Sequence, residues 1–394
     1  MPAIYGQPAL GSEFDPVVQR AQQFVELCFA RAARQVTDRK APKTDPKSVE
    51  GVLAAFLSAR LRPAPSAPVS APVRKLARSL KQRAEAIAGR LAAQPQQFGP
   101  LARVDLGAAQ PLARQLGGGK LFDDLIHKNA PLIKNLAVAP GAPAAPIADG
   151  VREMLRRIRP GQKPMPAPGP GTGPVRHTQL QLELLRVVCD DPEGWEIADW
   201  DKDHISLGGK AYDSAGTQEP VMAFAAGEFE LAGDSFSFPG TGRVFARYDL
   251  TRTGGWPRVF YASLAMAERD ADGGFIEFLV KLWAAIDEAV IDALTLALLA
   301  ATTGAAVGGT TGSAAPVAGT LVGIIVGALV GLAVGMVLDS LNDDLFQPVE
   351  AAPLVLESAS ASFGQGGAKV SPEQTAQFGR DGAQYRVTYR WRLV

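Results

Sequence analysis

The chain of 394 residues predicts an α+β multidomain protein. Its parts are an N-terminal helical region, a Pro-rich linker, and an antiparallel β-sandwich interrupted by an apolar helical hairpin. Three observations predict this. The apolar period is helical before the linker and two afterwards. Residues 160–174 hold six prolines and four glycines. Residues 293–338 contain no charged side chain, and glycine recurs there every fourth position. The resulting boundaries are 1–159 for the basic, Ala-rich helical region and 160–176 for the linker. The sandwich takes 177–270 and 350–394, and the lead-in helix with its hairpin takes 271–349.

In the first region Val17, Ala21, Phe24, Val25, Cys28 and Ala32 recur at helical spacing, as do Val52, Ala55, Phe56 and Ala59. Residues 63–72, with alternating Pro, Ala and Ser, predict an extended break. Helical pattern resumes over 73–91 with Arg74, Lys75, Arg78, Lys81, Arg83 and Arg90 on a basic surface. Weaker helices are expected at 121–136 and 148–158. With few large apolar residues, these segments predict a loose bundle or an array that orders on a partner. The linker itself is an extended spacer.

Beyond it, Leu180, Leu182 and Leu184 alternate with polar residues, and Phe229 and Leu231 alternate with Glu228 and Glu230. Residues 244–250, 259–266 and 354–363 are further strands. In the last strand Tyr385, Val387, Tyr389, Trp391 and Leu393 face one way, and Arg386, Thr388, Arg390 and Arg392 the other. A sandwich of about seven or eight strands follows. Strands on both sides of the uncharged segment make the hairpin an insertion that projects from one end of the sandwich.

The lead-in helix places Phe275, Phe278, Leu279, Leu282, Trp283 and Ile286 on one face. Such a helix suits a membrane interface, with Trp283 as an anchor at headgroup level. Each arm of the hairpin is about 20 residues, the length that crosses a ~30 Å hydrocarbon core, and a helical pair satisfies its own backbone there. Pro316 marks the turn. The tip carries no charge. The base carries Asp287, Glu288, Asp292, Asp339, Asp343 and Asp344, carboxylates that a proton or a cation can neutralise.

Gly304, Gly308 and Gly312 form one glycine row, and Gly319, Gly323, Gly327, Gly331 and Gly335 a second. Small residues at this spacing let helices approach closely. In these motifs the segment 293–338 resembles bacterial glycine-zipper two-helix membrane families. The resemblance covers that segment alone and implies membrane association with a structural or pore-related role. The hairpin is also similar in plan to the core of colicin-type pore-formers, without a shared motif. The chain departs from small lipoprotein-like members in lacking a lipobox. A row continuing for four periods suits many identical helices side by side, so a homo-oligomer is expected. The rival expectation is a structural or interaction protein whose glycine rows pack in a homo-oligomeric or filamentous assembly.

Net charge is zero, yet the halves differ. Up to Arg176 there are 26 Lys and Arg against 12 Asp and Glu, leaving 14 basic and 28 acidic residues beyond it. The basic region suits anionic lipid, a partner protein or the chain's own acidic half. Nucleic acid is not the expected partner, because no reader motif and few stacking aromatics accompany the charge. Residues 1–15 lack a basic stretch followed by an apolar core, so no signal peptide is expected. The expected location is the cytoplasm at synthesis, then a membrane or export by a signal-independent route.

Asp199, Asp201 and Asp203 have an alternating spacing that would present oxygens to Ca²⁺ from a loop. The competing reading is solvated turn acids. His127, His177 and His204 have no zinc-ligand spacing with the two cysteines, Cys28 and Cys189. No nucleophile elbow, phosphate loop or dinucleotide fingerprint is present, so an enzyme is not expected. The function these readings favour is a membrane-inserting, pore-forming or permeabilising effector.

Overall fold

The computed structural model describes residues 15–61, 71–115, 168–169, 176–192, 202–216, 218–252, 256, 258–268, 274–287, 290, 346, 348–351, 354–356, 358–363, 367–380 and 383–394. The hairpin glycines, Pro316, Asp199, Asp201 and the helices expected at 121–136 and 148–158 lie outside them.

Helices and antiparallel sheets are both present. The first part holds α1 (Asp15–Thr37), α2 (Val49–Leu61) and α3 (Ala71–Ala93), then α4 (Pro95–Phe98), a 3₁₀ turn (Gly99–Arg103) and α5 (Leu112–Gln115). The helical spacing places Phe24, Val25, Cys28 and Ala32 of α1 and Val52 and Phe56 of α2 inside, whereas Ala55 and Ala59 are exposed and Leu53 and Leu57 share the buried face instead. Leu27, Cys28 and Phe29 of α1, Leu53 and Leu57 of α2 and Leu80 of α3 are fully buried. These helices share one core with the rest of the chain. Their core cluster runs on into Tyr212, Val259, Tyr261, Ala265 and Ala267 of a β-sheet.

The strands are β1 (Pro168–Gly169), β2 (Gln179–Asp191), β3 (Asp203–Asp213), β4 (Gln218–Phe229), β5 (Ser235–Ser237), β6 (Arg243–Asp249) and β7 (Arg258–Glu268). They continue with β8 (Val349–Glu350), β9 (Leu354–Leu356), β10 (Ser362–Phe363), β11 (Gln374–Arg380) and β12 (Ala383–Leu393). One five-stranded sheet runs β11-β12-β2-β5, with β6 also on β2. The other runs β4-β3-β7-β8, with β9 also on β7. β1 pairs with β10 alone. All these pairings are antiparallel.

The two five-stranded sheets face each other in a sandwich-like arrangement. The face of β12 read from its alternation, Tyr385 to Leu393, packs inward. Rings meet across the gap: Phe229 and Tyr385 at 5.5 Å, Tyr248 and Phe260 at 5.3 Å, both edge-to-face. The second sheet is covered on its other side by helices. That is why β7, Arg258–Glu268, reads as an almost unbroken run of small and apolar residues rather than an alternation.

Two strand expectations are corrected. Leu231 is 66% exposed and lies past the end of β4, where the Asp234 carboxylate accepts the N–H groups of Glu230 and Leu231 at 2.8 and 2.9 Å. That turn ends the alternation. The strand expected at 354–363 is two short strands, β9 and β10, separated by a turn. Both cysteines are free and buried, and burial pushes the Cys189 thiol up to about 11. They behave as small core residues.

Candidate functional site

The expected lead-in is α6 (Phe275–Ala285). It starts at Gly274, whose φ of 85° turns the chain out of the β7 connection in a conformation glycine adopts without strain. Phe275, Ile276, Phe278, Leu279, Leu282 and Trp283 are all buried. One side of the helix lies on β3 and β4. A Cβ placed on Gly208 would come within 2.4 Å of Ile276 Cγ2, so the missing side chain is what lets the helix sit down on the strand. The other side meets α2. The rings of Phe56 and Phe278 stack at 4.2 Å with an interplanar angle of 27°, and Phe275 lies 6.3 Å from Phe56.

α6 is thus a middle layer between the sandwich and the N-terminal helices. Trp283, the expected interface anchor, is enclosed by protein in the described structure. The indole is 0% exposed, and its Nε1 finds no hydrogen-bond partner among the described residues. An amphipathic face signals that something covers it, and here protein does.

At the C-terminal end of α6 the chain turns towards the uncharged segment, and one charged contact fixes that exit. Lys210 of β3 is 3% exposed. Its Nζ donates to both oxygens of Asp287, at 2.5 and 2.7 Å. The Tyr212 hydroxyl donates to Asp287 Oδ1 at 2.8 Å. Lys210 also reaches Gln218 Oε1 at 3.4 Å and lies 5.1 Å from the centre of the Tyr212 ring. Burial first, and the Asp287 carboxylate second, push the Tyr212 hydroxyl far above its usual range, so it stays protonated and donates to that carboxylate. The first carboxylate of the hairpin base is therefore held by a buried ammonium and a phenol.

Removing the ammonium leaves Asp287 beside an apolar strand face with one donor. Lys210→Met is expected to lose about 3 kcal/mol of stability, read as a lower urea midpoint. Asp287→Asn leaves the buried ammonium without a counter-charge and should lose a similar amount. An Asn variant within about 1 kcal/mol of the parent would show that the charge pair contributes nothing beyond hydrogen bonding.

Sequence reasoning singled out Asp287 as a base carboxylate but not Lys210. Their 77-residue separation leaves no local pattern to find. Asp203 opens β3 and accepts the Tyr385 hydroxyl at 2.5 Å, so it is engaged inside the sandwich. Among the described residues, no group of three or more His, Cys, Asp or Glu side chains is placed to hold a metal ion. Nor is any helix among them long and apolar enough to cross a membrane. Comparison with protein-family models, curated proteins and solved structures gave no match.

Proposed function

We propose that this is a membrane-inserting protein, and that the uncharged, glycine-rowed segment 293–338 is the part that enters lipid and permeabilises it. The observation that carries this reading is the segment itself: 46 successive residues without a charge, in two arms of spanning length. A globular protein gains little from excluding every charge over such a length, whereas a hydrocarbon environment demands it.

The surroundings of α6 support a conditional event over a permanent anchor. The helix leading into the segment is enclosed by α2 and by the second sheet, and its end is tied by Lys210 to Asp287. In this reading the enclosed helix is the resting arrangement. Insertion requires the contact at Asp287 to open, by a competing cation or by the target surface itself. Glycine rows then pack arms from several copies, since lipid supplies no hydrophobic drive between helices and close backbone approach takes its place.

The test is dye release from liposomes by the purified full chain, across pH and with and without Ca²⁺. Release is expected under at least one condition, and Gly327→Leu is expected to lower it by obstructing helix approach. A chain that releases no dye and floats with no liposome, yet purifies as a defined oligomer without detergent, would overturn insertion in favour of a packing role for the same glycines.

A further inference from the structure

We propose that the end of the helical bundle formed by the α1–α2 turn and the first turns of α3 is the surface that first contacts a membrane, through anionic lipid headgroups. This rests on the membrane reading above and names the face that meets the bilayer.

The bundle brings two basic segments together that the sequence keeps apart. Arg31 of α1 pairs with Glu50 at 3.2 Å, which fixes the start of α2 beside the last turns of α1. Residues 38–48 therefore form the tip beyond the end of α1. The direction of α3 follows from three contacts and from the burial of Leu80. Arg90 pairs with Glu26 at 3.2 Å, Gln97 O accepts from Gln23 at 3.0 Å, and Phe98 O accepts from Arg20. Arg90 sets the end of α3 beside Glu26, and α4 then continues towards Arg20. Leu80, ten residues before Arg90, is fully buried in the core that α1 lines between Phe24 and Ala33, which places the earlier turns of α3 towards the end of α1, antiparallel to it.

At ~1.5 Å per residue, Arg78 stands about 18 Å before Arg90, and Thr37 about 16 Å beyond Glu26. The start of α3 is thus level with the end of α1 and with the tip. Arg34, Arg39, Lys40, Lys43 and Lys47 from one segment, and Arg74, Lys75, Arg78 and Lys81 from the other, share that end, and all are exposed. Acidic side chains offset little of this charge. Asp38 and Asp45 accept the backbone N–H groups of Lys40 and Lys47, each at 2.9 Å. Glu85 lies 3.9 Å from Lys81, with both side chains about two-thirds exposed, a pairing that water largely screens.

Nine cations against so few carboxylates make a strongly positive pole. Its occupant has to be polyanionic and tolerant of an irregular charge pattern. A lipid leaflet fits, because each Lys or Arg near an anionic surface adds its own attraction without needing fixed geometry. Base recognition does not, since no aromatic side chain lies in residues 34–47 or 71–81 to stack on a base.

The experiment measures partition of the full chain onto vesicles of neutral phosphatidylcholine and onto vesicles with a third phosphatidylglycerol. Low and high salt are both used, and dye release is read in the same samples. Binding is expected on the anionic vesicles only, and it should fall with salt. Arg74, Lys75, Arg78 and Lys81 all changed to Gln should weaken it at least about tenfold. Lys40, Lys43 and Lys47 changed to Gln should do the same, with unfolding midpoints unchanged because these side chains are exposed. Equal partition onto neutral and anionic vesicles, unaltered binding by both variants, or tighter binding of a short DNA duplex than of anionic vesicles would each overturn the proposal. Binding without dye release would instead sink insertion and leave this surface standing.

Discussion

Gly209→Ala is expected to cost roughly 3–5 kcal/mol, the most damaging single methyl group in the sandwich. Gly209 sits in the middle of β3 and is paired on both sides, with Val221 of β4 and Leu264 of β7. Its φ is +152°, and a Cβ built there would lie 2.0 Å from Ser263 O and 3.1 Å from the Ser263 carbonyl carbon. Those atoms belong to the backbone of the neighbouring strand, which cannot rotate away as a side chain can. Relief would have to part β3 from β7, opening the sheet on which α6 and the α1–α3 core both rest. Two costs therefore add: conformational strain, about 1–3 kcal/mol, and the displaced ladder. Gly216→Ala is the matching control. Its φ is +84° and nothing lies within 4 Å of the added carbon, so it should show the strain alone. Urea unfolding of the two variants separates the terms. A Gly209→Ala protein within about 1 kcal/mol of the parent would mean that the strands are not packed this closely.

The same residues show how much could be read in advance. The period-two pattern of β12 was legible because one face of its sheet meets the core and the other does not, and Tyr385 to Leu393 are buried as the alternation requires. β3 was not legible. Its Gly208-Gly209 pair has the signature of a turn, and only the approach of Ile276 and of the Ser263 backbone shows why a strand needs two glycines there. α6 lies between these cases. Its apolar face was plain from spacing, but spacing cannot say whether lipid or protein covers it. The decision is made by Phe56, more than 200 positions earlier, and by a sheet face whose own strands show no alternation. The outward arginines of β12 were read correctly as facing away from the core. Their task was not visible: Arg390 and Arg392 both donate to Glu183 of β2, at 2.9 and 2.6 Å, and so clamp two strands together.

The second large effect is expected from Arg31 and Glu50, the charge pair inside the helical bundle. Their side chains are 2% and 1% exposed. Each does more than neutralise the other. Glu50 Oε1 accepts the Leu112 N–H at 2.6 Å. Arg31 donates to Gln110 O at 2.8 Å and to Ala108 O. The pair therefore fastens residues 108–112 onto α1 and α2 and closes the end of the core. Glu50→Leu strands a guanidinium among apolar residues, and Arg31→Met strands a carboxylate. Each is expected to cost about 3–5 kcal/mol. The double variant removes both charges together, so it should cost far less than the two losses added. It should not return to the parent value, because Leu112 N–H and the carbonyls of Ala108 and Gln110 still lose their partners. A coupling energy of about 2–3 kcal/mol from the double-mutant cycle is the expected reading. Additive losses would show that the two side chains act through separate contacts. If the cycle behaves as expected, loss of the α2 seat should also loosen α6. On the proposed membrane reading, dye release by Glu50→Leu should then exceed that of the parent chain, because the enclosure of α6 is weakened while the segment 293–338 is untouched. A destabilised variant with unchanged release would uncouple the bundle from the membrane step.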